Sequence, residues 1–250
     1  MLAGQEHGCV AETAFIAATV QGDGIFTNKR GGPGRKDFIF ANDDSDFAGE
    51  WRAFESAEAM GFDARRCDQV GVMARGARET AQGFDRLGAL AKRFGWEWRG
   101  VDFQGNHEAV GKAILAAFSD QLAIRLSQGT LACKLVGNRK GKLDEDSCVR
   151  NAAAFVAAEI TEVEAREIVV HLRRATAIDP AWLAELFPED RTLTDGAAWD
   201  ETRRRVVARK ETRFRDLVLE AKESDHGVNL DQAAALLAER VISGELILKN

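Results

Sequence analysis

The sequence predicts an α+β protein in three consecutive parts: an N-terminal helical bundle over residues 1–118, a small five-stranded β-barrel over 119–192 and a C-terminal hairpin-plus-helix extension over 193–250. Three observations predict it. Apolar residues recur at helical spacing through the first part. Short strand-like runs, separated by turns containing Gly129, Gly137 and Gly141, follow Ser119. Finally, the segment from Phe155 to Pro188 joins two alternating strands to a capped amphipathic helix.

In the helical part, Cys9 to Val20 carries small and apolar residues at helical spacing. Asp44 or Ser45 can accept a hydrogen bond from an orphan N–H and so cap a second helix that buries Phe47, Trp51 and Phe54. In the longest helix, Val70, Met73, Ala77, Phe84, Leu87, Ala91 and Phe94 recur every three, four or seven residues, with Arg75, Arg78, Glu79, Gln82, Asp85 and Arg86 on the other faces. The stretch reads as one amphipathic helix, either continuous or broken near Gly71. Gly76, Gly83 and Gly88 each cost up to about 1 kcal/mol relative to alanine, which close packing against a neighbour must offset. Gly22 to Asp37 reads as a mobile loop carrying TNKRGGPGRK, and Glu108 to Phe118 as the closing helix.

The expected strands are Gln121 to Leu126, Thr130 to Val136, Lys142 to Leu143, Phe155 to Ile160 and Glu167 to Arg174. Period-2 alternation puts Val156, Ala158 and Ile160 on one side of a strand and Ile168, Val170 and Leu172 on one side of the next, with Glu162 to Arg166 turning between them. Asp179 caps the following helix, Pro180 has no N–H to leave unpaired at its first position, and Trp182, Leu183 and Leu186 form its apolar stripe. Beyond Pro188, a hairpin of Ala197 to Trp199 and Arg205 to Phe214 precedes a last helix. That helix starts at Asn229 or Asp231, stops at Gly244 and carries Leu230, Ala234, Leu237 and Val241 on one face.

Composition narrows the function. With 250 residues, 45% of them hydrophobic, the chain can bury real cores. A net charge of -6 and a pI near 5.4 exclude a protein that coats nucleic acid indiscriminately, leaving only a local basic surface for that work. No apolar run approaches the roughly 20 residues that span a bilayer. Glu6 and His7 stand where a signal peptide needs a basic start and an apolar stretch. No membrane partner and a cytoplasmic location are expected. Cys9, Cys67, Cys133 and Cys148 are scattered without a CxxC pair, so they read as free thiols rather than zinc ligands or disulfides.

Catalytic motifs are missing. GNHEAVGKA, Gly105 to Ala113, has five residues between its glycines where a phosphate-binding P-loop needs four, and Ala113 replaces the magnesium-binding hydroxyl. His107 and Glu108 open like a zincin motif, but Gly111 occupies the place of its second histidine. No G-x-S-x-G occurs, and His7, His171 and His226 have no sequence partner that suggests a triad. No catalytic or metal-binding residue is assigned.

The basic residues carry more. Asn138, Arg139, Lys140, Gly141 and Lys142 form a basic hairpin tip, with Arg125 and Lys134 on adjoining strands. Such a concentration can neutralise phosphates, each contact adding about 0.7 to the salt slope for a single strand; the alternative is a solvated turn. Arg203, Arg204, Arg205, Arg209, Lys210, Arg213 and Arg215 face only Glu211 within their own stretch, which suits a second basic ribbon or a charged edge that resists aggregation. Phe155, Trp199 and Phe214 are either core residues or stacking surfaces for bases.

MLAGQEHGCVAETAFIAA, SDFAGEW, the Cys67-to-Leu87 helix, AFSDQLAIRL, RRVVARKETRFRDLVLEAK and above all VAAEITEVEAREIVVHLRRATAIDPAWLAELFP together resemble the C-terminal half of bacterial DEAH-box ATP-dependent RNA helicases of the HrpB type. In that family two RecA-like motor domains precede a winged helix, a helical ratchet region and an oligonucleotide-binding (OB) fold; this chain resembles the last two and the extension C-terminal to them. The resemblance implies an accessory portion that guides single-stranded RNA or DNA beside RecA-like motor domains acting in cis or in trans. ATP and magnesium would bind those motor domains, with no cofactor on this chain and no ATP hydrolysis by it alone. Met1 stands where the family has an internal residue, so a fragment, a truncated frame or a split-gene subunit is expected. The helix bearing Arg75 and Arg78 resembles the strand-facing ratchet helix. Ser147 resembles a serine of the family's OB fold, as a hydroxyl contact to nucleic acid or as a turn residue satisfying its own backbone. Phe47 replaces the histidine of the family's Ser-Asp-His, so any polar role of that histidine is lost. The five-strand barrel agrees with an OB fold, whose strand face and loops bind oligonucleotides. The alternative is a module that docks onto a helicase motor without touching nucleic acid.

Overall fold

The computed structural model describes residues 1–27, 33–164 and 168–246. The chain divides into two compact units, Met1–Trp182 and Leu183–Asn250.

The first unit begins with helices α1 (Leu2–Glu6), α2 (Val10–Val20), α3 (Asp46–Ala59), α4 (Ala64–Gln69), α5 (Ala74–Arg93) and α6 (His107–Ala117). Ser45 caps α3 by accepting a hydrogen bond from the Phe47 N–H at 3.3 Å, and of the two readings of the next stretch the broken one holds, with Gly71 at φ +77° between α4 and α5. The centre of the loop expected to be mobile, residues 28–32, lies outside the described residues.

Phe15 of α2 is fully buried. Around it stand Trp51 at 4.9 Å, Phe54 at 5.6 Å, Phe103 at 6.1 Å and Phe84 at 6.2 Å between ring centroids, separations at which aromatic pairs add to simple burial. The glycines of α5 permit close approach. A Cβ on Gly83 would lie 3.0 Å from Ala18 of α2, and one on Gly76 only 1.9 Å from the Gly24 carbonyl oxygen. Gly76→Ala is therefore expected to lower stability by about 1–3 kcal/mol through overpacking, although alanine is the better helix former. A urea midpoint equal to or above that of the wild type would contradict this.

Strands β1 (Leu122–Arg125), β2 (Ala132–Leu135), β3 (Arg139–Leu143), β4 (Ala154–Glu164) and β5 (Ile168–Ala177) form a closed barrel in the order β1-β2-β3-β5-β4. β3 and β5 run parallel; the other pairs, including β1 with β4, are antiparallel. Ala123, Cys133, Leu135, Leu143, Val149, Phe155, Ala157, Leu172 and Ala175 fill its core.

The long strands change faces partway. Leu172 and Ile160 point inward, but so do Ala175 and Ala157, residues of opposite parity. The switch falls at Arg174, whose φ of +52° is left-handed and costly for a non-glycine residue. Simple alternation from Val156 to Ile160 therefore fails: Val156 is buried on the outer side of the barrel, where α3 and α6 pack against β4 and β5. The turn expected over Glu162 to Arg166 is strand as far as Glu164, and residues 165–167 lie outside the described residues.

The division between the units falls within α7 (Ala181–Leu186). Asp179 caps this helix by accepting from the Ala181 N–H at 2.8 Å, and Trp182 packs where a Cβ on Gly111 of α6 would lie 2.5 Å from its ring.

In the second unit, β6 (Arg191–Asp200), β7 (Arg205–Phe214) and β8 (Leu217–Ser224) form an antiparallel sheet with β7 central. β8 extends the expected hairpin by a third strand. Asn229 caps α8 (Leu230–Ile242), accepting from the N–H groups of Asp231 and Gln232 at 3.0 and 3.1 Å. Gly244 follows at φ +79°, and α8 packs against β6.

Candidate nucleic-acid interface

α3 and α6 pack against the outer side of β4 and β5; on the outer side of β2 and β3, Lys134 is half-buried and Lys140 and Lys142 are exposed. Cys133 and Leu135 point into the core, so Lys134 between them points out. The register sets Lys134 directly opposite Lys140, with Ile124 on its other side. Like charges directly opposite on one face destabilise a sheet, yet neither lysine forms an ion pair with a carboxylate among the described residues.

The other predicted residues of this region have partners. Lys142 lies on the same outer face, opposite Ala132 and His171, and its Nζ is 2.7 Å from Glu145 Oε1. Both groups are substantially exposed, so the pair can open at little cost. Arg139 donates to the carbonyls of Val136 at 3.2 Å and Asp120 at 2.9 Å. Arg125 donates to three carbonyls, those of Ala152 at 2.7 Å, Thr130 at 2.6 Å and Val149 at 3.1 Å. These bonds tie β1 to two neighbouring loops and occupy the guanidinium within the barrel.

Ser147 is buried. Its hydroxyl donates to Asp46 Oδ1 at 3.1 Å and accepts from the Val149 N–H at 3.3 Å, so it caps a helical turn and faces α3. On α5, Arg75 is exposed and bonded to Glu79 at 2.8 Å; that hydrogen bond and the adjacent carboxylate charge raise the Arg75 pKa further. Arg78, also exposed, donates to the Phe62 carbonyl. These two arginines share an open helical surface, apart in sequence and fold from the lysine pair.

Between α3 and the barrel lies a buried polar junction with no obvious sequence signature. Asp46, fully buried at the start of α3, accepts from Ser147 Oγ and the Cys148 N–H through Oδ1, at 3.1 and 2.9 Å, and from the Ala175 N–H through Oδ2 at 2.9 Å. Arg35 reaches the same carboxylate at 3.5 Å and Asp144 at 3.4 Å. Burial works against the Arg35 charge, but Asp46, Glu50 and Asp144 outweigh it and raise its pKa. Glu50 meets Arg174 at 3.1 Å; burial pushes its carboxyl pKa up, although Arg174 and Arg35 oppose the shift. The strained Arg174 is thus held by an ion pair as well as by its strand.

The basic residues of and around β7 pair with carboxylates both within the strand and outside it. Arg205 pairs with Asp225, Lys210 with Asp195, Arg215 with Asp190, and Arg203 with Asp200 and Asp225. Arg209 and Arg213 clasp Glu211 at 2.7 and 2.6 Å. Burial would raise the Glu211 pKa, but the two guanidiniums hold it below the usual range. Arg204 sits in the turn at φ +52°. Neither sequence alternative fits as drawn: the paired cations are engaged by carboxylates, and β7 is the central strand of its sheet rather than a charged edge. Of the aromatic candidates, Phe155 and Phe214 are fully buried, and Trp199 lies beneath the Arg240 guanidinium at 5.2 Å.

Cys9, Cys67 and Cys133 are buried and Cys148 is half-buried, all as free thiols. Burial, with Glu12 assisting, pushes Cys9 up to about 12; burial also raises Cys67, Cys133 and Cys148. The thiolate is the reactive form, so all four are expected to resist iodoacetamide at pH 8 until denaturant is added. Rapid labelling of the native protein, read by mass spectrometry, would contradict this burial.

No family model and no curated protein matches the chain. Solved structures similar to it include the Escherichia coli DExH-box NTPase HrpB, at 14% identity and a TM-score of 0.42, covering 90% of this chain and 25% of that one. Another is the Escherichia coli DEAH/RHA helicase HrpB, at 18% identity and a TM-score of 0.42, covering 62% and 18% respectively. The chain spans a quarter of the length of one matched chain and less of the other.

Proposed function

We propose that the chain is a nucleic-acid-binding accessory portion of an ATP-dependent RNA helicase, whose barrel is an OB fold that guides a single strand beside RecA-like motor domains. One observation carries this reading: Lys134 and Lys140 face each other across β2 and β3 with no carboxylate partner among the described residues. A phosphate between them would relieve the repulsion, and Lys142, once released from Glu145, would extend the track. The sequence resemblance supplies the helicase context. In this arrangement ATP and magnesium belong to the motor domains, and the complex works in the cytoplasm. No helix among the described residues is long and apolar enough to cross a membrane.

Fluorescence anisotropy with a labelled oligouridylate tests the reading. The wild type is expected to bind, and Lys134→Ala/Lys140→Ala to bind more weakly, while Lys210→Ala, in the ion-paired sheet, leaves affinity unchanged. A second reading, docking on a motor without nucleic-acid contact, is favoured by an apolar groove of about 250 Å³ lined by Ile16, Val20, Ala113, Ile114, Ala117 and Phe118. Failure of the wild type to bind RNA, together with co-purification of a RecA-like ATPase, would replace the first reading with the second.

A further inference from the structure

The C-terminal end of α5 displays aromatic surface that its own packing does not require. Phe94 is 61% exposed and Leu90, one turn earlier, 39% exposed. The Phe94 ring is stacked with Trp96, at 5.4 Å between centroids and 24° between planes. The arrangement is built by the backbone. The Gly95 N–H donates to the Lys92 carbonyl and the Trp96 N–H to the Ala91 carbonyl, at 3.1 and 3.0 Å, the paired bonds of a Schellman motif. Gly95 takes the left-handed conformation this needs, φ +69°. Trp98 then anchors the returning chain, its ring within 3.3 Å of a Cβ on Gly88 and 5.2 Å from the Phe84 centroid. The stack is held in place before any ligand arrives.

The charge around it is positive. Lys92 and Arg93 in the last helical turn are exposed, and neither pairs with a carboxylate among the described residues. Both offset the negative end of the helix dipole, which would otherwise repel a phosphate. Nearby Glu97 is held by Arg99 through two bonds of 2.9 and 3.0 Å.

We propose that the Phe94–Trp96 stack is a platform for an unpaired nucleobase of a single strand, with Lys92 and Arg93 receiving its flanking phosphates. The proposal rests on the nucleic-acid-binding reading above and adds a second site to it, at the far end of α5 from Arg75 and Arg78. A stacked ring with an open face and free cations beside it suits a base. A protein-docking patch of only Leu90 and Phe94 would be small.

The experiment compares wild-type protein with Phe94→Ala, Phe94→Leu and Phe94→Tyr on an oligouridylate and on an abasic oligomer of equal length. Phe94→Ala and Phe94→Leu are expected to weaken oligouridylate binding about fivefold to a hundredfold without changing the salt slope, Phe94→Tyr to retain affinity, and all four proteins to bind the abasic oligomer alike. Because Phe94 is mostly exposed, their melting temperatures should match. Undiminished affinity in Phe94→Ala, full rescue by leucine, or an equal loss on the abasic oligomer would each overturn the platform. If the wild type binds and the Lys134/Lys140 variant does not, any of these results removes the platform while leaving the barrel reading intact.

Discussion

Asp46→Ala is expected to destabilise the first unit by about 3–5 kcal/mol, the range for removing one member of a buried charged network. The cause is local and countable. Its two oxygens accept from the Ser147 hydroxyl and from the N–H groups of Cys148 and Ala175, and alanine leaves those donors buried without a partner. Arg35 and Arg174 would then share Glu50 without Asp46 beside it. Asp46→Asn keeps one acceptor oxygen and should lose less, about 1–3 kcal/mol. Chemical denaturation followed by far-UV circular dichroism measures both. An Asp46→Ala midpoint within error of the wild type would show that this carboxylate does not link α3 to the barrel.

Reversing the charge of the lysine pair, Lys134→Glu/Lys140→Glu, is the second large effect. Both side chains project from the outer face, so the barrel core is untouched, and the repulsion between them is merely replaced by another of opposite sign. Stability should stay within about 0.5 kcal/mol of the wild type, as for surface substitutions generally. Affinity for single-stranded RNA should fall by at least about tenfold, because two attractive phosphate contacts become repulsive. A variant that folds normally and binds RNA as tightly as the wild type would move the site elsewhere.

The elements themselves were largely legible because they rest on local chemistry. Ser45 and Asn229 cap helices, Gly71 breaks one, and the glycine-punctuated runs after Ser119 pair into a closed barrel. What was hidden depends on residues far apart in sequence. Asp46 and Ser147 are 101 positions apart, so nothing local marks one as the other's partner. Arg125 looked available from its place on a strand, but its donors turn back onto three carbonyls. The basic stretch of β7 looked uncompensated because Asp190, Asp195 and Asp225 arrive from outside it, and β8 was obscured by its own charges. Lys134 and Lys140 were visible as basic residues; only the register showed them opposite each other. The left-handed Arg174 could not be foreseen, since arginine has no preference for that conformation, and the inward-facing pattern of β5 changes at that residue.

The central claim is that the outer β2–β3 face of the barrel neutralises the phosphates of a single strand, and the salt dependence of binding tests it most directly. Affinity for a labelled oligouridylate would be measured across a series of potassium chloride concentrations for the wild type and for Lys134→Ala/Lys140→Ala. If each lysine displaces one counterion, the slope of log affinity against log salt should be shallower by about 1.4 in the variant. An identical slope in the two proteins would contradict the account.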